Sequence, residues 1–299
     1  MTIILETKDL TKVYGKLKVV DSVNITAHEG EVFGFLGPNG AGKTTTLGMA
    51  LGLVHPTAGE VHVLGKRVTP DHVDALKQVG ALLGAPACVP YLSARDNLDL
   101  LARLTPGVDK KRIAEVLELV GMTDSARRRV GRFSTGMKQR IGLAMALLHR
   151  PRFVILDEPT NGLDPAGMRE IRQLLRGLAE NGTSVLLSSH LLNEVQQVCD
   201  RIAVLNRGRI VAQGRVDDLL GARKPAVQLT VSDVGAAVRA FETLPGIEGL
   251  ETSGSTITVV GVTNQAVMNH LLQQHVIPLE ITARKSDLES LFMDVTADD

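Results

Sequence analysis

Residues 37–45 read Gly-Pro-Asn-Gly-Ala-Gly-Lys-Thr-Thr, three glycines and a proline ahead of one lysine and a run of threonines. Glycine weakens a helix or strand that it interrupts, so the stretch serves something other than core building. It matches the spacing G-x-x-x-x-G-K-[ST], with Gly37, Gly42, Lys43 and Thr44 at the fixed places. A backbone through Gly37, Pro38, Asn39, Gly40, Ala41 and Gly42 can wrap closely around phosphate oxygens, so that consecutive N–H groups converge on one anion. A helix starting behind the loop adds its partial positive charge there. The chemistry indicated is triphosphate binding. Lys43 would reach the β- and γ-phosphates, the Thr44 hydroxyl would ligate Mg²⁺, and Thr45 would close the binding stretch.

A second pair of reactive residues lies further on. "FVILDEP" (153–159) sets Asp157 and Glu158 at the carboxyl end of an apolar run, where open parallel sheets bind ligands. Two carboxylates at a buried strand end are costly unless they meet a cation or a water. Asp157 suits a Mg²⁺ shell, and Glu158 suits a general base for an attacking water.

These groups need a scaffold, and the pattern of the chain supplies one. "EVFGFLG" (31–37), "RFVILDEP" (152–159) and "TSVLLSSH" (183–190) are short apolar runs that suit buried strands. "RIAVLNRGRIVAQG" (201–214) reads as a hairpin turning at Arg207-Gly208. With helical stretches between them, the runs predict an α/β domain with a mostly parallel sheet covered on both faces.

Between about 86 and 150 the strand signals stop. Helical periodicity follows Ser93, with Asp96 three residues on, and again follows Asp109. A third helix is expected after Gly136. This stretch reads as a helical insertion into the sheet domain. Beyond Pro225 the elements run β-α-β-β-α-β, the split βαβ order of ferredoxin-like domains, and a last helix opens with Ser286 and Glu289 as a capping box. The expected division is a domain over 1–222 and an accessory domain over 223–299.

Composition bounds the function. The 299 residues balance 33 Lys and Arg against 33 Asp and Glu, which argues against a broad nucleic-acid footprint. No apolar run approaches the roughly 20 residues of a membrane-spanning helix. The first residues reach charge too early for a secretory leader, so none is expected. Cys88 and Cys199 match no metal or redox spacing and are expected to be inert core thiols in a reducing compartment.

"FSTGMKQR" (133–140), shortly before the Asp-Glu strand, resembles the signature motif of ATP-binding-cassette (ABC) ATPases. The order of landmarks over about residues 5 to 220 is similar to that family's, which implies a P-loop NTPase with a RecA-like core sheet. On chemistry alone, a single histidine after a strand reads first as structural, and Tyr14 reads equally as a packing aromatic. The resemblance implies that Tyr14 stacks on adenine, that Asp164 marks the D-loop and that His190 senses the γ-phosphate. It implies Glu158 as the catalytic glutamate, and Ser134, Thr135, Gly136 and Met137 as a cradle closing on ATP held by a second copy. ATP and Mg²⁺ are the implied ligands, and a homodimer on a separate membrane permease is the implied assembly.

"GMKQR" in place of the commoner GGQ-type ending, a single nucleotide-binding domain and the extra C-terminal domain resemble the bacterial ABC-2 group. Bacitracin-type and daunorubicin-type drug exporters belong to that group. "SDLESLFMDVT" (286–296) resembles its C-terminal end. The expectation is an exporter subunit held at the cytoplasmic face of the membrane through its permease. A nucleotide-gated ABC ATPase with a regulatory or immunity role and slow hydrolysis is the alternative. A ribosome- or DNA-directed ABC ATPase fits poorly, because there is one phosphate loop and no heptad run. One position departs from the family: the Q-loop residue, usually glutamine or glutamate, aligns with Gly84, since Gln78 comes before the expected strand.

Overall fold

Strands buried on one face alternate in burial along the chain, while strands buried on both faces do not. Both kinds occur in this protein, whose computed structural model describes residues 2–221, 226–284 and Leu288. The expected capping box of Ser286 and Glu289 lies outside the described residues, as do residues 222–225. Two compact units are formed, one ending at Val216 and the other starting at Asp217.

In the first unit, β1 (Ile3–Tyr14), β2 (Leu17–Val23) and β3 (Thr26–His28) are followed by β4 (Val32–Leu36), helix α1 (Lys43–Ala50), β5 (Ala58–Val63) and β6 (Lys66–Arg67). β1 pairs antiparallel with β2, β3 and β5, and β5 pairs with β6. The sequence gives no clear sign of this antiparallel layer. Its residues are only partly apolar because one face meets solvent, and β1 is irregular where its register shifts.

β4 belongs elsewhere. It joins β7 (Val79–Leu82), β8 (Phe153–Asp157), β9 (Ser184–Ser189), β10 (Arg201–Asn206) and β11 (Arg209–Arg215) in a sheet ordered β11-β10-β4-β9-β8-β7. All pairs are parallel except the β10–β11 hairpin, whose turn is Arg207-Gly208 with both residues at positive φ. Every residue of β4, β8 and β9 is buried, which is why β4 and β8 read as apolar runs and β9 (SVLLSS) keeps an apolar centre between buried serines. Their register aligns the strand ends. Leu36 lies opposite Ser189, and Asp157 opposite Ser188, so the carboxyl ends of three neighbouring strands open at one edge.

Between β7 and β8 the chain forms α2 (Ala94–Arg103), α3 (Lys110–Leu119) and α4 (Thr135–Leu147). Their starts are chemically marked. Ser93 and Asp96 form a reciprocal capping box, Asp109 accepts from the Arg112 amide, and Ser134 accepts from the Met137 amide. The Ser134 cap starts α4 at Thr135, one residue ahead of Gly136, after which the sequence pattern places it. α5 (Pro165–Glu180) is capped by Asp164 with proline in its first turn, followed by α6 (Leu192–Gln196) and α7 (Val216–Gly221). Of the two thiols expected in the core, Cys199 is buried, whereas Cys88 is only half-buried.

The second unit carries β12 (Ala226–Thr230), α8 (Val234–Phe241), β13 (Gly249–Ser253), β14 (Thr256–Val260), α9 (Asn264–Gln273) and β15 (Glu280–Arg284). Its antiparallel sheet is ordered β13-β14-β12-β15, the arrangement expected of the β-α-β-β-α-β reading. Val227, Leu229, Ile257 and Val259 alternate onto one face and form a core with Ala237, Phe241, Val267 and Leu271. Burying a side chain such as Phe241 contributes about 2 kcal/mol.

Candidate active site

The phosphate loop leaves β4 and enters α1, and its glycines are required by what they pass. Gly37 has φ +155° and a Cβ there would strike the Leu205 carbonyl of β10. Gly42 has φ +107°, and its Cβ would stand 2.5 Å from the Val19 carbonyl of β2. Gly42→Ala is therefore expected to destabilise the fold by about 2 kcal/mol, checked by the midpoint of urea unfolding. Gly42 is also the N-cap of α1 and has no side chain to occupy the first-turn amides, which stay available to an anion.

Lys43 is drawn inward, with its side chain 7% exposed. Its Nζ donates to the Gly37 carbonyl at 2.7 Å and the Pro38 carbonyl at 3.2 Å, and lies 3.5 Å from Glu158 Oε1. Thr44 Oγ1 donates to Asp157 Oδ2 at 2.9 Å. The other Asp157 oxygen accepts from Ser188 Oγ at 2.5 Å, and Ser188 Oγ in turn accepts the Glu158 amide at 3.0 Å. Glu158 itself sits at φ +53°, a left-handed backbone that costs a non-glycine residue on the order of 1 kcal/mol. Its Oε2 lies 2.5 Å from His190 Nδ1.

Lys43, Thr44, Glu158 and His190 face one cavity of about 330 Å³, whose walls also include Pro38–Gly40, Gly42, Thr45 and Asn161, while Asp157 lies buried behind Thr44. The arrangement can hold a phosphate chain on the loop amides and Lys43, and set a carboxylate against it. Thr44 and Asp157 present hard oxygen donors side by side, a set suited to Mg²⁺. Among the described residues, no group of three or more His, Cys, Asp or Glu is placed to cage a metal. A divalent ion at this site would draw its remaining ligands from phosphate and water.

The other sequence-derived residues lie outside that cavity. Tyr14 ends β1, 49% exposed, with Lys12 Nζ 4.8 Å from its ring centroid. Ser134 caps α4, and the following turn packs on the loop before Asp164. A Cβ on Gly136 would be 2.8 Å from Leu163 Cδ2, and one on Gly162 would be 2.9 Å from Thr135 Cγ2. Met137 contributes the amide that Ser134 captures. Asp164 accepts the Gly167 amide at 2.9 Å. Gly84 follows β7 by two residues at φ +63°, a backbone suited to glycine, with open space where a Cβ would stand. Ser188 is a site residue that sequence reasoning misses. Its signal is a serine, two places before His190, in a run otherwise built to be buried.

The ABC transporter family model matches residues 20–161, which contain the loop, α4 and the Asp157–Glu158 strand end. The ABC transporter ATP-binding protein YhcH of Bacillus subtilis is 40% identical over 302 residues, covering 100% of this chain and 97% of that protein. The chain belongs to the ABC transporter ATP-binding protein family. The bacitracin transport ATP-binding protein BcrA of Bacillus licheniformis is 39% identical to this ABC ATPase, over 98% of the chain and 97% of its own length. Among solved structures, a dimeric ATP-binding cassette in a post-hydrolysis state with ADP and Pi is similar at TM-score 0.65 and 29% identity. That likeness covers 71% of this chain and 99% of the solved one. The protein is thus an ATP-binding and ATP-hydrolysing ABC subunit.

Proposed function

We propose that this ABC ATPase is the energy-supplying subunit of an ABC-2 type exporter of a drug, antibiotic or lipid-like compound. In this reading two copies close around two ATP molecules beneath a separate membrane permease. The observation that carries it is an incomplete pocket: the phosphate loop, Glu158 and His190 share a cavity that Ser134–Met137 of the same chain do not line. A second copy would bring that cradle to the open side. The likeness to the bacitracin transport protein supports the drug class.

A groove of about 760 Å³ beside the helical insertion supports a docked partner. Leu82, Leu83, Pro86, Leu101, Leu104 and Met145 line it, and Leu104 is 79% exposed. Such a surface fits an apolar helix of a permease. No described helix is long and apolar enough to cross a membrane, so attachment at the cytoplasmic face would run through that partner.

Within one pocket the loop amides and Lys43 bind the phosphates, and Lys43 leaves its loop carbonyls for stronger, charged acceptors. Mg²⁺, held by Thr44 and Asp157, would neutralise phosphate charge when bound. Glu158 accepts a proton from the attacking water as the water oxygen bonds to the γ-phosphorus and the bond to the ADP oxygen breaks. His190 holds the Glu158 carboxylate from one side and the γ-phosphate from the other, and Tyr14 stacks on adenine. Asp164 holds the D-loop against its partner copy. At the Q-loop position Gly84 offers no side chain, so water or a backbone carbonyl would take that ligand place when Mg²⁺ is bound.

Affinity capture of the tagged full chain from detergent-solubilised membranes tests the assembly. An integral membrane protein should co-purify, and reconstitution with it should raise ATP turnover several-fold. Recovery of the chain with RNA, or with no membrane protein at all, would contradict the proposal.

A further inference from the structure

Gln139 lies on α4, five residues beyond Ser134, and is only 7% exposed. A buried primary amide must find hydrogen-bond partners or pay for their loss. Its Nε2 donates to the backbone carbonyl of Glu158 at 3.3 Å. That carbonyl also accepts the Asn161 amide at 3.1 Å, while the Glu158 amide goes to Ser188 and its carboxylate meets His190 and Lys43. Each of these other groups belongs to a strand end, the loop after it or the first turn of α1. Gln139 alone among them comes from the helical insertion.

The backbone it touches is the one that needs holding. At φ +53° Glu158 occupies a conformation that persists only when its surroundings impose it. The next residue ties α4 to its neighbouring helices α3 and α5. Arg140 donates to the Val120 carbonyl at 3.1 Å and pairs with Glu170 of α5 at 2.5 Å. A shift of α4 would move the Gln139 amide and withdraw a hydrogen bond from the strained peptide.

We propose that Gln139 is a positioning residue that sets Glu158 from the signature helix, through the Glu158 backbone carbonyl. The inference rests on the proposed function, in which Glu158 is the base of this chain's pocket and Ser134 serves the partner's nucleotide. Both ends of that reading then sit on one rigid helix, five residues apart. The grip of α4 on one ATP thereby orients the carboxylate that acts on the other.

The test uses the full chain with Gln139→Met, which keeps the shape and removes the donor, and Gln139→Glu, whose carboxylate cannot donate. Gln139→Met should lower kcat about tenfold, the value of one hydrogen bond, with KM and trinitrophenyl-ATP binding within about twofold. Gln139→Glu should be equally slow at about pH 8, and its rate relative to the unaltered chain should rise towards about pH 6. A buried carboxyl titrates high and donates again once protonated. The same ratio for Gln139→Met should stay flat. Unchanged kcat in both variants, or equal flat ratios, overturns the inference and leaves Gln139 a packing residue. If Gln139→Met fails to fold, the pH ratio of Gln139→Glu still decides. Glu158→Gln run in parallel separates the two readings: its full activity sinks the base assignment, whereas its inactivity beside a fast Gln139→Met sinks only this inference.

Discussion

The Glu158→Gln variant is expected to turn over ATP about 1,000-fold more slowly than the unaltered chain, within the range seen when a general base is removed. The amide keeps the size of the carboxylate and its place between His190 and Lys43. What it loses is the ability to take a proton from water. It also loses a negative charge that would repel the γ-phosphate, so ATP should stay bound while hydrolysis stalls. Two copies should then accumulate as an ATP-bound dimer, visible by size-exclusion chromatography with ATP and absent with ADP. Phosphate release at the unaltered rate would remove Glu158 from the base role. Slow release from a species that stays monomeric at saturating ATP would leave the base in place and remove the shared pocket.

How much of the fold and the site is readable in the sequence depends on the range of the contact concerned. The loop between β4 and α1 is legible because its pattern is local: the glycines, lysine and threonines fall within nine consecutive positions. β4 and β8 are legible because burial on both faces leaves an apolar run, and β9 because Val185–Leu187 do the same on a shorter stretch. The β1–β2–β5 layer is hidden, since one solvated face dilutes the apolar signal. Ser188 and Gln139 are hidden for a different reason. They reach Asp157 and Glu158 across 31 and 19 residues of sequence, and only strand register and helix docking bring them there. The left-handed backbone of Glu158 is equally invisible, because such a conformation is announced by glycine and here it is imposed on a glutamate.

The second large effect concerns which chain completes the pocket. In the proposed reading Lys43→Ala removes the cation that meets the phosphates and Ser134→Arg blocks the cradle at the start of α4, so each variant alone should be nearly inactive. The Ser134 change also loses the α4 cap, worth about 1 kcal/mol, and unfolding measurements can separate that cost from the loss of rate. If each ATP lies between the loop of one copy and the cradle of the other, a mixed dimer has one pocket with both lesions and one with neither. Random pairing of equal amounts should then restore about a quarter of the unaltered rate, since half the dimers are mixed and half their pockets are intact. A pocket built within one chain gives no such rescue, because every copy in the mixture carries a lesion in its own site. Full turnover by a demonstrably unpaired chain would exclude the composite pocket outright, and with it the reason for Ser134–Met137 to stand away from the cavity that Lys43 and Glu158 share.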